Sequence, residues 1–409
     1  MENIQTRCCI AGGGPAGMML GFLLARASID VVVLEKHADF FRDFRGDTIH
    51  PSTLQVMHEL GILEGFLERP HQKVRRLGGQ IGDHSFAMAD FSHVPTRCKF
   101  IALMPQWDFL NFLAEHARRY PAFKLEMNAE VGELLYDRGK VIGVRATTPG
   151  GGLEVRADLV IGSDGRHSTV RDRAGLQVID VGAPMDVLWM RISRRASDPN
   201  QAFGRIGSGQ LMAMIDRTDY WQCAYVIPKG KLKEIRRAGL PAFRNDIAAL
   251  APFLGNRVEE LGDWSEIKLL TVTVDRLRRW YRPGLLCIGD AAHAMSPIGG
   301  VGINLAIQDA VAAANVLAAR PRRRYFTLAQ LRKVQRRREP PTRLTQSLQV
   351  FIQNRVITGI FRSTKPLGLP LPLRLLNRWP ILRSIPAYAV GIGFRPEHVR
   401  TPESQGGRA

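Results

Sequence analysis

The thirty residues "RCCIAGGGPAGMMLGFLLARASIDVVVLEK" (7–36) limit the fold more than any other stretch of the chain. A short β-rich run enters a glycine cluster, an apolar helical stretch follows, and an unbroken Val/Leu run comes next. That order predicts a strand–helix–strand unit whose second strand is buried on both faces, as in a parallel sheet. The glycines stand as Gly12-x-Gly14-x-x-Gly17 between strand and helix. Gly12 allows the tight turn, Gly14 lets a pyrophosphate approach the backbone, and Gly17 lets helix and strand pack closely. Phosphates would then sit at the helix start, around Ala16 and Gly17, where free N–H groups and the helix dipole favour anions. Glu35, followed by Lys36, ends the next strand, where a carboxylate can bond both ribose hydroxyls.

That unit does not separate a dinucleotide ending in nicotinamide from one ending in flavin. A second unit, "GLLCIGDAAHAMSPIGGVGINLAIQDA" (284–310), does. It places Asp290 at the end of an apolar run and clears side chains at Gly299, Gly300 and Gly302, ahead of a helix expected from about Asn304. A nicotinamide dinucleotide has no need of another strand–Gly–Asp–helix unit so far downstream. FAD does, because its ribityl chain and isoalloxazine run on past the pyrophosphate. Asp290 can accept from a ribityl hydroxyl, and the glycines let the ring's pyrimidine edge reach the N–H groups opening the helix. The same helix end favours the anionic reduced ring. No His or Cys stands in a linkage motif, so FAD is expected to be held without a covalent bond. A third piece, "LVIGSDGRHSTVR" (159–171), puts Asp164-Gly165 after a buried strand, with Arg166, Ser168 and Arg171 opening a helix. Taken alone it reads equally well as a capped turn.

At 409 residues the chain suits two domains or one large interleaved fold, and 45% apolar with 23% charged residues marks a globular protein. No stretch approaches eighteen uninterrupted apolar residues, so no membrane span is expected. The N-terminus enters a strand at once and leaves no room for a signal peptide. Five scattered cysteines without a C-x-x-C pair point to reduced, buried thiols in the cytoplasm and to no metal site. The net charge of +19 is mostly arginine, densest over 321–343. No nucleic-acid module accompanies it, so no nucleic-acid partner is expected.

Helical patterns recur at 52–69 and 106–119, and strands are expected around Val131–Leu135, Val141–Ala146 and Leu159–Ile161. Residues 74–103 and 178–274 alternate with turn signals, including a hairpin turning near Asp216–Asp219, and predict an antiparallel sheet inserted into an α/β unit. The expected division is a Rossmann-like FAD-binding domain over 1–73, 104–177 and 275–335. An inserted β-sheet substrate domain takes 74–103 and 178–274, and a basic helical segment takes 336–409. Aliphatic and Arg residues mixed over 350–394 suit either a helical cap on the flavin domain or a peripheral membrane contact.

The glycine loop, "SDGRHSTVR" and "IGDAAHAMSPIGGVGINLAIQD" together resemble, in order and spacing, the single-component flavoprotein aromatic hydroxylases, the family of 4-hydroxybenzoate hydroxylase and the ubiquinone-pathway hydroxylases. The resemblance spans roughly residues 5–315. It implies a monooxygenase that uses NADH or NADPH as transient reductant and hydroxylates an aromatic through a flavin hydroperoxide. It makes Asp164 a contact for FAD and NAD(P)H, Arg45 (with Arg42 as alternative) a phosphate ligand, and Gln106 a ribityl contact. Pro297 resembles the proline beside the flavin ring whose carbonyl faces the substrate. His50 and His293 fall near the flavin by motif position, as proton carriers or as packing residues.

Two departures narrow the reading. No second dinucleotide fingerprint exists, since "GRIGSGQ" (204–210) lies between strands. The segment resembling the benzoate pocket reads "LMAMID", without a clamp for a carboxylate. Met88, Met190, Met212 and Met214 with Trp189 and Phe203 are therefore expected to receive a lipophilic aromatic or quinone-like substrate beside oxygen. A homodimer is compatible with this reading. A dehydrogenase or reductase of the same fold, and a flavin redox sensor without turnover, are the alternatives.

Overall fold

In the computed structural model, which describes residues 2–41, 48–199, 204–319, 325–365 and 367–404, the Val- and Ile-rich runs lie side by side. Strands Leu285–Cys287, Gly151–Gly162, Glu2–Ala11, Val31–Leu34 and Phe123–Glu126 form, in that order, a parallel sheet. Register aligns their ends: Ala11 is paired with both Gly162 and Leu34, and Gly162 with Cys287. The turns that leave these strands therefore open along one edge, where α/β sheets bind ligands. Strands Glu130–Asp137 and Lys140–Thr148 add an antiparallel flap to the leading half of Gly151–Gly162.

Helix Pro15–Arg26 packs between helices Gln106–Ala117 and Gly302–Leu317. Its closeness to the sheet depends on Gly21, where a Cβ would come within 2.8 Å of the Val33 side chain. Residues 298–317 are long and apolar enough to cross a membrane, with mean hydropathy 1.3, yet 83% of the stretch is buried in this protein's own core. All five cysteines are buried and free, and burial pushes the Cys9 and Cys223 thiols up to about 12.

A second sheet has seven strands and draws on both alternating stretches. Its order is Lys268–Leu270, Met185–Ser193, Tyr220–Pro228, Gln210–Asp216, Gly204–Gly207, Arg76–Ile81 and His84–Asp90. "GRIGSGQ" is part of a hairpin within it, with Gly209 at φ 74°. Alternation does place Met190, Met212 and Met214 on one face, but it is the outer one. They are fully buried against Phe243, Ile247 and Leu250 of helix Leu240–Leu250. Met88 is 38% exposed on the edge strand, and Phe203 lies outside the described residues. The expectation that these methionines receive substrate is thereby corrected: Met190, Met212 and Met214 are core, and Met88 lies on the exposed edge. Trp189 faces the other way, among Val187, Ala213 and Ala224.

Helix Leu328–Ile352, started by a Thr327/Gln330 capping box, carries a polar stripe into the protein. Arg338 is fully buried and donates Nε–H to Asp309 at 3.0 Å, while Asp309 also meets His293 Nε2 at 2.5 Å and accepts from the Gly289 N–H at 3.1 Å. Burial raises the Asp309 pKa, but the charges and hydrogen bonds of His293 and Arg338 outweigh it, and the net shift is downward. Removing one member leaves a charge buried without its partner, which costs about 3–5 kcal/mol. Arg338→Leu should lower the stability by that order in denaturant titration; a loss under about 1 kcal/mol would show that the network is not needed to dock the helix.

Candidate active site

At the common edge of the parallel sheet the first turn and the third strand touch through backbone. A Cβ on Gly12, which has φ 105°, would lie 2.4 Å from the Ser163 carbonyl oxygen. One on Gly17 would lie 2.0 Å from the Gly12 carbonyl oxygen. The Ser163 hydroxyl donates to the Ala11 and Gly12 carbonyls at 3.0 and 2.9 Å and pins the turn. Gly14 differs, since its added Cβ would meet nothing within 4 Å. The same holds for Gly165 and Gly302, so three glycines at neighbouring turns face open space, a cradle that side chains would fill. Glu35 is buried, with its carboxylate accepting from the Gly13 N–H at 3.0 Å and the His37 N–H at 3.1 Å. That fixes it beside the glycine loop, as a ribose-binding acid requires.

Gly289, at φ 58°, brings the late unit against the first. Its added Cβ would lie 3.0 Å from the Ala16 side chain and 3.5 Å from that of Ala306. Asp290 is partly exposed and stands 3.9 Å from Arg166 Nε, so the central and late motifs face each other across the edge. The loop before helix Gly302–Leu317 bends through Gly299 (φ 77°) and Gly300 (φ 61°). Thr48 and His50 hold it by hydrogen bonds to the Gly300 carbonyl at 2.8 and 3.0 Å. The helix begins two residues earlier than expected, at Gly302.

Several expected ligands have other tasks. Both Asp164 oxygens are engaged at the start of helix Thr169–Arg173, by the Ser168 hydroxyl at 2.5 Å and the Val170 N–H at 3.0 Å. Burial pushes its carboxyl up, offset in part by those bonds. Arg166 of the same motif is the residue that faces Asp290. Asn304 is buried and accepts from Ser52 and Thr53, tying two helices together. The Pro297 carbonyl accepts from the Gly300 N–H at 3.0 Å and so is folded into its own turn. His293 is buried with Asp309 and Trp280. Lys36 is exposed, and Gln106 is half-buried at the start of its helix. Arg42 and Arg45 lie outside the described residues.

What sequence reasoning missed is the support behind the loop. Gln349 donates to the Ser296 and Ile298 carbonyls at 3.0 and 2.9 Å and accepts from the Ser296 N–H at 3.2 Å. Gln346 donates to the Asp275 and Ala294 carbonyls at 2.7 and 3.1 Å. The signal was present as polar residues at helical spacing, 335, 338, 342, 346, 349 and 353, but nothing in it said which way they face.

The open glycines, the preset acid and two helix starts aimed at one edge fit FAD in chemistry. The family described as FAD binding domain matches residues 5–325. The chain belongs to this family of FAD-dependent monooxygenases. It is 33% identical, over 94% of its length and 92% of the relative's, to a 6-methylpretetramide 4-monooxygenase from Streptomyces rimosus. It is 28% identical to a dialkyldecalin synthase from Streptomyces rugosporus over 74% of this chain, and spans only 63% of that protein's length. Among solved structures it resembles Pseudomonas aeruginosa PqsL in complex with 2-aminobenzoylacetate, with TM-score 0.74 at 21% identity, covering 88% of this chain and all of that one. The last likeness concerns the fold. NAD(P)H is the reductant general to the family's monooxygenases.

Two expectations follow from the geometry. Gly14→Val puts a branched side chain into the space left open for the pyrophosphate, so the protein should fold yet purify colourless; full flavin absorbance would show that the phosphates bind elsewhere. The second concerns His50, whose complete burial lowers its pKa to about 4. The unfolded imidazole titrates near 6.5, so protons favour the unfolded chain as pH falls from about 6.5 to about 4. Stability is full above that window, drops through it by roughly 3 kcal/mol, and falls no further on this account below it. His50→Gln should flatten the loss between neutral pH and about pH 4.5 in denaturant titrations; equal slopes for both proteins would show that the imidazole is not held neutral.

Proposed function

We propose that this monooxygenase hydroxylates a sizeable, lipophilic aromatic or quinone-like compound between the parallel-sheet edge and the inner face of the seven-stranded sheet. One observation carries this: the wall beside Pro297 is apolar. Leu211 and Val226, paired across neighbouring strands, cluster with Ile298, Ile357 and Phe361. Next to them Trp189 is paired with Ala224, and Ala224 with Ala213, so one large ring lies beside two small side chains. Such a wall receives a ring system, and the side chains named include no cation for a buried carboxylate, which would need one; Lys268, paired with Trp189, is exposed on the edge strand. The hydroxylation for which the Streptomyces rimosus relative is named supports an aromatic substrate.

Bound FAD supplies the two-electron transfer from NAD(P)H to O2, from which one oxygen atom enters the product and the other leaves as water. The protein's share is binding, orientation and exclusion of water. In this reading the helix start at Gly14 holds the pyrophosphate, and Glu35 holds the ribose. Asp290, with Arg166 and Gln106, holds the ribityl chain. The N–H groups following Gly300 and Gly302 meet the ring's polar edge. The seven-stranded sheet acts as the substrate domain inserted at 74–103 and 178–274. In this reading His50 and His293 act as hydrogen-bonding residues, His50 on the Gly300 carbonyl and His293 on Asp309.

The test is a stopped-flow comparison of flavin reduction by NADH and NADPH with a polycyclic phenol, with 6-methylpretetramide and with 4-hydroxybenzoate, followed by mass spectrometry under labelled oxygen. A polycyclic phenol should accelerate reduction and yield a product carrying one labelled oxygen, whereas 4-hydroxybenzoate should do neither. Tight coupling to 4-hydroxybenzoate would overturn the substrate class. Turnover that adds no oxygen would overturn the reaction, and the dialkyldecalin synthase among the relatives makes that arm worth running.

A further inference from the structure

The C-terminal segment reverses the usual amphipathic arrangement. Helix Leu328–Ile352 buries Gln346 and Gln349 and turns Leu344, Leu348 and Phe351 outward, with Phe351 61% exposed. Helix Leu371–Arg378 is attached to the edge of the seven-stranded sheet by a polar residue. Asn377 donates to the Ser85 carbonyl and accepts from the Ala87 N–H, each at 3.1 Å. Leu371 on that helix is 67% exposed, and Ile381 and Ile385, which follow, are 65% and 66% exposed. Trp379 and Tyr388 add half-exposed aromatics. Helices on a water-facing surface place these groups the other way round. The inner faces are fixed by hydrogen bonds, so a rotation that hid the apolar side chains would break them. An exposed apolar area of this size marks an interaction site.

Charge decides the partner. From Pro340 to Pro396 the chain has eight basic residues (Arg343, Arg355, Arg362, Lys365, Arg374, Arg378, Arg383 and Arg395) and no Asp or Glu. A second copy would oppose this face with the same cations, a juxtaposition that like-charge repulsion disfavours. An anionic bilayer meets both properties at once. Its headgroups attract arginine, its acyl boundary takes the aliphatics, and Trp and Tyr settle at the level between.

We propose that the outward face of residues 344–388 docks on an anionic lipid bilayer, with Ile381, Ile385 and Trp379 entering the acyl boundary. The inference does not rest on the substrate reading. It would, however, bring the enzyme to the phase in which a lipophilic aromatic concentrates. A groove of about 730 Å³ between Pro340, Pro341 and Leu344 on one side and Ile385 and Tyr388 on the other opens on this face.

The experiment uses the FAD-loaded full chain with vesicles of phosphatidylcholine alone and of equal parts phosphatidylcholine and phosphatidylglycerol, at low and high salt. Binding is followed by co-sedimentation and by quenching of tryptophan fluorescence with brominated acyl chains. The protein should bind the anionic vesicles only, more weakly at high salt, with quenching that Trp379→Phe removes. Ile381→Ser/Ile385→Ser should keep its flavin and lose at least about tenfold in vesicle affinity, as expected for two aliphatic side chains leaving an apolar phase. Binding unchanged in that double variant would overturn the proposal in favour of charge alone. No vesicle binding, with a dimer in light scattering that the double variant disrupts, would assign the face to a second copy. No vesicle binding by a monomer would overturn it as well.

Discussion

Backbone-to-backbone contact where the first turn, the third strand and the start of the first helix meet is the constraint on which the site depends. Gly12, Gly17 and Ser163 leave no room there for even a methyl group. Because that contact is fixed, the parallel strands end level, and every functional turn opens along one line. Openness at Gly14 has meaning only against that background, since a glycine that could take a side chain sits among glycines that could not. Close packing sets the frame, and the loose position within the first turn is the one open to a ligand.

The second half of the site is held from behind. The turns after Gly289 and before Gly302 take positive φ at Gly289, Gly299 and Gly300, and because glycine is free to take other conformations as well, hydrogen-bond partners are what select this one. Asp309 holds the Gly289 N–H, Thr48 and His50 hold the Gly300 carbonyl, and Gln346 and Gln349 hold 294–298. These partners come from two helices and from the strand-to-helix stretch at 48–50. A long helix that buries glutamine in place of leucine gives up hydrophobic stabilisation for directed hydrogen bonds, and gains a loop with one geometry.

Much of this was legible in sequence, because glycine spacing after a strand has few physical readings. The parallel sheet, its two glycine units and the alternating strands of the second sheet lie where periodicity placed them. Side-chain direction was not legible. Met190, Met212 and Met214 obey alternation, yet alternation cannot say which face a helix will cover, and Leu240–Leu250 covers theirs. Asp164 and Asn304 stand in the expected motifs but bond to Ser168, Val170, Ser52 and Thr53, as short polar side chains near helix starts readily do. Motifs locate the backbone around a cofactor more surely than they assign the atoms that touch it.

The C-terminal segment carries this lesson further. Its composition alone, aliphatics mixed with arginine, suits a cap on the flavin domain as well as a surface for lipid. The structure shows a cap on the inner side of this segment and apolar side chains on its outer side. Gln346, Gln349 and Asn377 make the inner side a cap, supporting the loop beside Pro297 and the edge of the second sheet. With the inner positions given to polar groups, the aliphatics at the remaining helical positions can only point outward. The apolar surface is thus a geometric consequence of how the loop beside Pro297 is held. Whatever covers that surface bears on the same helix that supports the loop at 294–298.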